Sequence, residues 1–587
     1  MRIGPGPHLE VVRGRDVKLL GRVAEATSAR PTERKPSPRV DARVLVVGAG
    51  PAGLAAALEL LRRGVREVVV CEAADHVMGR ADSLTFARKD GSHGVGQLGA
   101  QMAPESYGPF WRAVGELGLD GEKRQQAPRV TLFRGASKTP IVVDIANPAS
   151  FYKVEQARGG SLLDAGLWDG VRRMMDEWSR KWHHRLPDAS EHWVGEDRRR
   201  SSWFRDTFGD GVGDLADAEL AALYFKTPEQ ASIANVASIT GCGLRGEHGW
   251  TLHDGFGAIG PRAVDRIRER YGAASVRLNA PVTALEETKK GVRATIAGKS
   301  ESFDYAVLAT TSDVAARIAP PKTEEERAVR GRTYTPTVNV ILGVRNARKV
   351  LERFHDADVY GLINAPKHHG PKDFITSVSF HSGAVGGRVP GVDTVQCMAL
   401  GDKVESLGLL DKSAEEVLDL TRASLARQIP GLADAELEFA AVVKIPSAIV
   451  DSPPGISAKI QAYKESVGGS RIVDAGSHLN VADRVGGAWR SGEAAATAIT
   501  NMCLRGRGEA VDTIYPLAPP PRMLSRSEAR RYDAGAYAGA AGVYAGSVKN
   551  WASSLAHGDL GGAASAYVTG WGAFFSGVRS AGRFLSR

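Results

Sequence analysis

Three glycines and one carboxylate near residue 50 have the types and spacing that bind a phosphate-bearing nucleotide. Gly48, Gly50 and Gly53 form a G-x-G-x-x-G pattern, and Glu72 follows about 20 residues later. In such a pattern the first glycine permits a tight turn, the second lets the backbone approach a pyrophosphate, and the third permits close packing of helix on strand. The carboxylate would accept hydrogen bonds from the hydroxyls of an adenosine ribose.

The residues around this pattern predict the elements that must position it. The apolar run 44–47 is typical of a buried parallel strand, and a helix is predicted over 52–63. A second strand over 68–70 ends close to Glu72. The helix would direct its N-terminal amides at the phosphates. Because Glu72 would repel a 2′-phosphate, NADP is disfavoured, and FAD and NAD remain.

The segment after Glu72 favours FAD. Residues 72–83, EAADHVMGRADS, resemble the E-A-x-x-x-x-G-G-R-x-x-S segment of the flavin amine oxidase superfamily, which also holds phytoene desaturases and protoporphyrinogen oxidases. The resemblance implies that Arg80 lies against FAD. Met78 replaces the first glycine of the pair, so the loop backbone is expected to differ locally. Segment 94–102 resembles one that passes near the flavin ring, without its usual acidic residue.

Later segments resemble the same family in the same order. Segment 276–288 is similar to a strand whose valine, Val282, would contact the adenine side through its backbone, and 303–315 is similar to a D-x-V-x-x-A-T-P strand with Thr311 in place of proline. Segment 471–499 resembles the closing motif, in which a helix starting near Gly487 would point its N-terminus at the flavin and stabilise its reduced form. The candidate cofactor-binding residues are Gly48, Gly50, Pro51, Ala52, Gly53, Glu72, Arg80, Val282, Gly476, Ser477, Gly487 and Ala488.

The reaction is less directly indicated. Amine oxidases of this family carry a lysine on the strand that corresponds to 335–344, and no lysine occurs there. Segment 444–455 lacks their tryptophan and instead resembles the corresponding segment of desaturases and protoporphyrinogen oxidases. A pocket without fixed polar groups would suit an apolar substrate whose hydride leaves to the flavin. We therefore predict an FAD-dependent oxidase or desaturase of a largely apolar small molecule; no catalytic residue is assigned.

Three other functions stay open. The second choice is a flavin amine or amino-acid oxidase that produces hydrogen peroxide. An interaction protein with a structural FAD and a non-redox flavin isomerase are the others.

Composition excludes several classes of function. The chain has 587 residues, of which 43% are hydrophobic and 24% charged, as is ordinary for a globular protein. The formal net charge of +9 is spread along the chain without a nucleic-acid-binding motif, so no nucleic acid partner is expected. Four scattered cysteines indicate neither a disulfide framework nor a metal site. The absence of a signal-peptide core predicts a cytoplasmic protein, with a peripheral membrane location as an alternative.

The predicted fold class is α/β: a Rossmann-like FAD-binding domain built from discontinuous segments, with an inserted α+β substrate domain and a helical C-terminal tail. The predicted divisions are a basic extension that is loosely ordered or drapes over the FAD domain (1–40), the FAD-binding parts (41–115, 241–318 and 469–507), a helical substrate-domain insert (116–240), the rest of the substrate domain (319–468), and a linker with the tail (508–587).

The tail carries an apolar stripe at helical spacing over 537–555 and a second one over 567–585. This pattern predicts two amphipathic helices over 533–587 that need a surface to pack on. The body of the protein or a second copy in a homodimer, a membrane surface, and a partner protein are all compatible with it.

Overall fold

The computed structural model describes most of the chain between residues 40 and 517. The described residues are 8–14, 17–22, 40–88, 93–127, 129–133, 140–144, 154–156, 161–162, 170, 173–174, 197–244, 247–345, 359–380, 392–482, 484–517, 552 and 556. The predicted tail helices over 533–587 lie outside the described residues, apart from the single positions 552 and 556.

A five-stranded parallel sheet forms the centre of the nucleotide-binding region. Neighbouring strands pair in parallel in the order Val276–Arg277, Val65–Cys71, Val40–Val47, Tyr305–Leu308 and Ile472–Asp474. The strands come from three separate parts of the chain. The short apolar runs that the sequence contains at these places are therefore buried strands of one sheet.

Both faces of this sheet are covered. Val44 and Val46 pack with the helices Pro51–Arg62, Ile259–Tyr271 and Val485–Gly506. Leu45 and Val47 pack on an antiparallel meander of the strands Val282–Thr288, Gly291–Ile296 and Lys299–Phe303. Successive side chains of a strand point to opposite faces, which explains why a continuous apolar run is needed here.

A ten-stranded sheet lies beside this region. Its strands, in spatial order, are His8–Gly14, Leu437–Val450, Tyr334–Arg345, Val392–Ala399, Ile375–Phe380, Val359–Asn364, Arg129–Phe133, Ile141–Asp144, Val154–Gln156 and Ser161–Leu162. One face packs on the helix Ala414–Gln428 through residues such as Val340. The other face, which includes Ile341 and Met398, packs on Leu84 and Leu98.

The other helices and strands complete the connections. Two three-stranded sheets consist of Val17–Arg22, Ser83–Arg88 and His93–Gln97, and of Ala103–Pro104, Gly249–Leu252 and Lys123–Gln125. The remaining helices are Gly108–Glu116, Trp203–Phe208, Asp210–Tyr224, Ile233–Leu244, Ser312–Ile318, Glu324–Arg330, Gly401–Ser406, Pro430–Ala433 and Ile456–Ser466.

Two regions can be compared with the prediction. In the extension 1–40, Val17–Arg22 pairs with Ser83–Arg88 of the predicted FAD-binding part, which agrees with a course over that domain, and His8–Gly14 pairs with Leu437–Val450 of the ten-stranded sheet. The insert 116–240 is helical in its second part, but its described residues between 123 and 162 are largely strands. Most of these strands are only two to five residues long, so they carry too little periodicity to be recognised.

The crossing of the helices Pro51–Arg62 and Val485–Gly506 yields a stability prediction. A Cβ at Gly492 would lie 2.0 Å from the backbone oxygen of Ala52, and a backbone atom cannot rotate away. Gly492→Ala should therefore lower the free energy of unfolding by about 1–3 kcal/mol despite the better helix propensity of alanine. Gly506→Ala is the matched control in the same helix, since a Cβ there has no atom within 4 Å. Thermal unfolding followed by circular dichroism would contradict this account if both variants melted alike.

Candidate functional site

The sequence motifs meet at one edge of the parallel sheet. The strands Val40–Val47, Val65–Cys71, Tyr305–Leu308 and Ile472–Asp474 run in the same direction, so their carboxyl ends lie side by side. Gly48, Glu72, Thr311 and Gly476 follow these ends within a few residues. Ligands of open α/β sheets bind outside the carboxyl ends of the strands.

The glycine turn has the geometry that each of its three glycines was predicted to provide. Gly48 has a φ of +96°, and a Cβ at Gly53 would lie 1.8 Å from the Gly48 oxygen. A Cβ at Gly50, by contrast, would point into open space with no atom within 4 Å. The helix then begins at Pro51, with Ala52 buried behind it. The open side of Gly50 is a cradle of the kind that a pyrophosphate fills.

The Glu72 carboxylate is held in place by backbone amides. Its Oε2 accepts a hydrogen bond from the Ala49 nitrogen at 2.8 Å, and its Oε1 accepts one from the Ala74 nitrogen at 2.9 Å. An ionised carboxylate offers about four acceptor sites, so capacity for two hydroxyl donors remains. Together with the turn at Gly50, this arrangement fits the adenosine and pyrophosphate of FAD.

The loop after Glu72 shows how Met78 replaces a glycine. Met78 is buried and has a φ of +70°, a left-handed conformation that favours glycine. Its nitrogen donates to the Ala49 oxygen at 2.8 Å, which holds the loop against the glycine turn. Met78 therefore adopts the backbone conformation that a glycine would adopt here, and the substitution costs backbone strain at this residue.

Arg80 connects three parts of the site. Its guanidinium donates to the Ser447 oxygen at 3.2 Å, to the Ala448 oxygen at 2.5 Å, and to the Ser477 Oγ at 3.0 Å. Two of the predicted site residues, Arg80 and Ser477, are thus in direct contact. The contact of Arg80 with the cofactor stays a prediction.

Val282 begins its strand next to Glu72. The Asn279 nitrogen donates to the backbone oxygen of Ala74, and the Ala280 nitrogen donates to the backbone oxygen of Glu72 at 2.8 Å. The strand Val282–Thr288 follows directly, with the Val282 side chain buried. Its backbone is therefore close to Glu72, and its contact with the adenine side stays a prediction.

The closing motif is a strand, a turn and a helix. Gly476 has a φ of +144°, and its nitrogen donates to Ser491 Oγ at 2.8 Å. The helix Val485–Gly506 starts two residues before the predicted Gly487, so that Gly487 and Ala488 lie in its first turn. The four N-terminal amides of a helix lack internal partners and favour negative charge nearby.

A buried ion pair that the sequence did not reveal anchors this motif. The Asp474 carboxylate accepts hydrogen bonds from Arg330 Nη2 at 2.8 Å and from Tyr463 Oη at 2.7 Å. Burial by itself would raise the pKa of Asp474, but the adjacent His478 imidazole and the Arg330 guanidinium hold it well below the ordinary value. The strand that delivers Gly476 is thereby fixed from behind.

Segment 94–102 contacts buried carboxamides. The backbone oxygen of Gln97 accepts from Asn339 Nδ2 at 2.9 Å and from Gln396 Nε2 at 2.7 Å. Gln97 Nε2 in turn donates to Thr251 Oγ1 at 3.2 Å. These amides are fixed polar groups beside segment 94–102, and the substrate pocket without fixed polar groups stays a prediction. No periodicity marks these residues, because they come together from four different strands and loops.

The central strand Tyr334–Arg345 contains no lysine, as the sequence indicated, but a lysine from another element is buried nearby. Lys226 Nζ lies 2.9 Å from Asp451 Oδ1 and donates to the Val450 oxygen at 2.8 Å. Burial raises the pKa of Asp451, whereas the Lys226 charge and hydrogen bonds lower it, and the net shift is downward. This pair sits on the segment whose Ser447 and Ala448 oxygens bind Arg80.

Comparison with known proteins agrees with the geometry. The flavin-containing amine oxidoreductase family matches residues 51–500. The chain belongs to this family. Membership implies FAD as the cofactor and a flavin-dependent oxidoreductase as the enzyme class.

Relatives show the fold and one local similarity. The chain is 41% identical to tryptophan 2-monooxygenase of Pantoea agglomerans pv. gypsophilae over 139 residues, which are 22% of this chain and 24% of that protein. Cyclohexylamine oxidase from Brevibacterium oxydans has a TM-score of 0.58 at 18% identity, over 78% of this chain and 99% of that one. Wild-type putrescine oxidase bound to putrescine has a TM-score of 0.57 at 18% identity, over 79% and 99%.

Two further features are lacking in the part of the chain that the structure describes. Within the described ranges, no group of three or more histidine, cysteine or acidic side chains could hold a metal ion. In the same part of the chain, no helix is long and apolar enough to cross a bilayer.

Gly50 offers a test that separates cofactor binding from folding. Gly50→Ala adds a methyl group to open space at an ordinary φ of −72°, so the FAD-free protein should unfold at the wild-type temperature. FAD binding should weaken about tenfold or more, or about 1.4 kcal/mol, because the methyl group occupies the path of the pyrophosphate. Titration of the FAD-free protein by flavin fluorescence measures this. Unchanged affinity would contradict the cradle.

Glu72 gives a second test. Glu72→Gln replaces one carboxylate oxygen by an NH₂ group, which cannot accept the hydrogen bond that a backbone N–H group donates there. The substitution also removes a charged acceptor for the ribose hydroxyls. The dissociation constant for FAD should rise about 10- to 100-fold, from a loss of about 1.5–3 kcal/mol. Glu67→Gln is the control on the same strand, since Glu67 pairs with Arg43 at the surface. Equal effects of both substitutions on the FAD titration would argue against a role for Glu72.

Proposed function

We propose that this chain is an FAD-dependent oxidoreductase that removes hydride from a largely apolar, uncharged small molecule. The observation that carries the proposal is the convergence of Gly50, Glu72 and Gly476 at one sheet edge, next to a sheet face with neutral side chains. On that face, the strands turn Asn339, Ile341, Gln396 and Met398 towards segment 84–98. Amides and apolar groups bind uncharged molecules without the cost of desolvating a charge.

The residues of the chain would divide the work as follows. Bound FAD supplies the two-electron acceptor. Glu72 would hold the ribose, and the turn at Gly50 would hold the pyrophosphate. Arg80 would fix the position of the Ser477 turn relative to segment 447–448, and the buried Asp474–Arg330 pair would keep this turn rigid. Such positioning and the exclusion of water are what the protein contributes to hydride transfer.

Amine or amino-acid oxidation is the second candidate. It is supported by the family itself and by the local similarity to tryptophan 2-monooxygenase. The strand Tyr334–Arg345 without a lysine counts against it. The cytoplasmic location, the homodimer and the docking of the tail on a membrane or a protein stay predictions from the sequence.

Anaerobic bleaching of the FAD-loaded protein tests the proposal. Polyenes and porphyrinogens are expected to bleach the flavin absorbance faster than cyclohexylamine, putrescine or L-tryptophan at pH 7, with free FAD as the control. Bleaching by amines alone, with hydrogen peroxide released in air, would replace the first candidate by the second. A product with the mass of its substrate would indicate an isomerase. A protein that stays colourless after incubation with FAD would refute the proposal.

A further inference from the structure

Asn339 lies at the centre of the face that segment 94–102 contacts. It is in the middle of the strand Tyr334–Arg345, it pairs with Met398 of the next strand, and its side chain is fully buried. Its neighbours Val338 and Val340 point to the opposite face, where the helix Ala414–Gln428 covers them. Asn339 is therefore a polar side chain on the sheet face opposite to the helix Ala414–Gln428.

The contacts of Asn339 define the direction of its amide group. The Nδ2 atom donates to the Gln97 oxygen at 2.9 Å and to the Leu98 oxygen at 3.0 Å. Both partners are carbonyl oxygens, which only accept, so the NH₂ end must face them. The Oδ1 atom takes no part in these two bonds, and among the described residues it has no hydrogen-bond donor.

An acceptor in this state is unusual for a protein interior. Most buried polar atoms have a partner, and one that lacks it reduces stability. The surrounding network cannot turn to satisfy it, since Gln396 uses its Oε1 for the Gln97 nitrogen at 3.1 Å and its Nε2 for the Gln97 oxygen. The Gln396 amide is therefore not available to donate to Asn339 Oδ1.

This acceptor is connected to the candidate FAD site through segment 94–102. The Leu98 nitrogen donates to the Asp82 oxygen at 3.0 Å. A Cβ at Gly99 would lie 2.7 Å from the Arg80 oxygen, so the two segments touch along their backbones. Arg80 binds Ser477 next to Gly476. The segment that orients Asn339 is therefore the one that packs against the loop of the nucleotide-binding edge.

We propose that Asn339 Oδ1 accepts a hydrogen bond from an uncharged N–H or O–H group of the substrate. The inference rests on the proposed function and deepens it: the substrate would be an apolar molecule with one neutral donor near the carbon that loses hydride. Within the proposed class of apolar hydride donors, the inference ranks molecules with such a donor above polyene hydrocarbons, which would leave the acceptor unsatisfied. A site built to bond a donor discriminates strongly against analogues that lack it.

Two ligands of equal size test this directly. Indole and benzofuran differ in that the N–H of indole is replaced by an ether oxygen. Their binding to the FAD-loaded protein is measured from flavin difference absorbance. The wild-type protein should bind indole about tenfold more tightly than benzofuran. Equal affinities would overturn the inference, because they would mean that water and not the ligand donates to Asn339 Oδ1. The absence of a difference spectrum with both ligands would overturn it as well.

A matched pair of variants assigns the preference to Asn339. Asn339→Ala should reduce the affinity ratio to about one. Asn364→Ala is the control, because Asn364 is also buried in the ten-stranded sheet and its Oδ1 has no partner in the described part of the chain. Its register partner is Phe133, which belongs to the opposite face. The control should keep the tenfold preference. A preference that survives in Asn339→Ala would overturn the inference, and if that variant did not fold the wild-type ratio would decide.

The two levels of the proposal fail in different ways. A yellow protein that takes up FAD and is bleached by a donor, yet binds indole and benzofuran alike, would overturn only the role of Asn339. A protein that remains colourless with FAD would overturn the proposed function and the inference together.

Discussion

The helix Val485–Gly506 crosses the helix Pro51–Arg62 at a distance that requires glycine. Gly492 meets the backbone oxygen of Ala52, and the next residue on the N-terminal side, Ser491, receives the amide of Gly476. This contact brings the end of the family match onto its beginning. If the helices were held apart, the closing turn would no longer stand beside the glycine turn, and the sheet edge would lose its last strand. The cofactor site is therefore a consequence of close backbone packing between distant parts of the chain.

The second requirement is that the ten-stranded sheet keeps its position relative to the parallel sheet. Arg80 supplies a direct link, because its donors bind backbone oxygens of the strand Leu437–Val450 and the Ser477 hydroxyl. The N-terminal strands add a further connection, since one pairs with the large sheet and the other pairs with Ser83–Arg88, three residues after Arg80. Through their backbone hydrogen bonds, one of these two strands belongs to the large sheet and the other belongs to the sheet that follows Arg80.

Charges and neutral polar groups are separated within the interior. The Asp474–Arg330 pair and the Lys226–Asp451 pair lie behind or beside the binding segments. Breaking such a pair by removing one partner costs about 3–5 kcal/mol because the other charge stays buried. The contacts made by segment 94–102 are instead amides and hydroxyls. Amides and hydroxyls of this kind suit a hydride donor without charge, whereas an ammonium group would need a carboxylate or an aromatic cage.

The sequence by itself determined the local chemistry of the nucleotide site. The spacing of Gly48, Gly50 and Gly53 depends on contacts within a few residues, and the alternation of strand and helix up to Glu72 depends on short-range periodicity. Both can be read from neighbouring residues. Only the tertiary structure decided which side chains surround the region next to it. Asn339 and Gln396 lie on neighbouring strands that sheet register aligns, and no local pattern encodes that register. Gln97 belongs to a different sheet and reaches them because its segment packs on that face. The buried partners of Asp474 and Lys226 were hidden for the same reason, since a single charged residue in a sequence carries no sign of the distant group that will neutralise it.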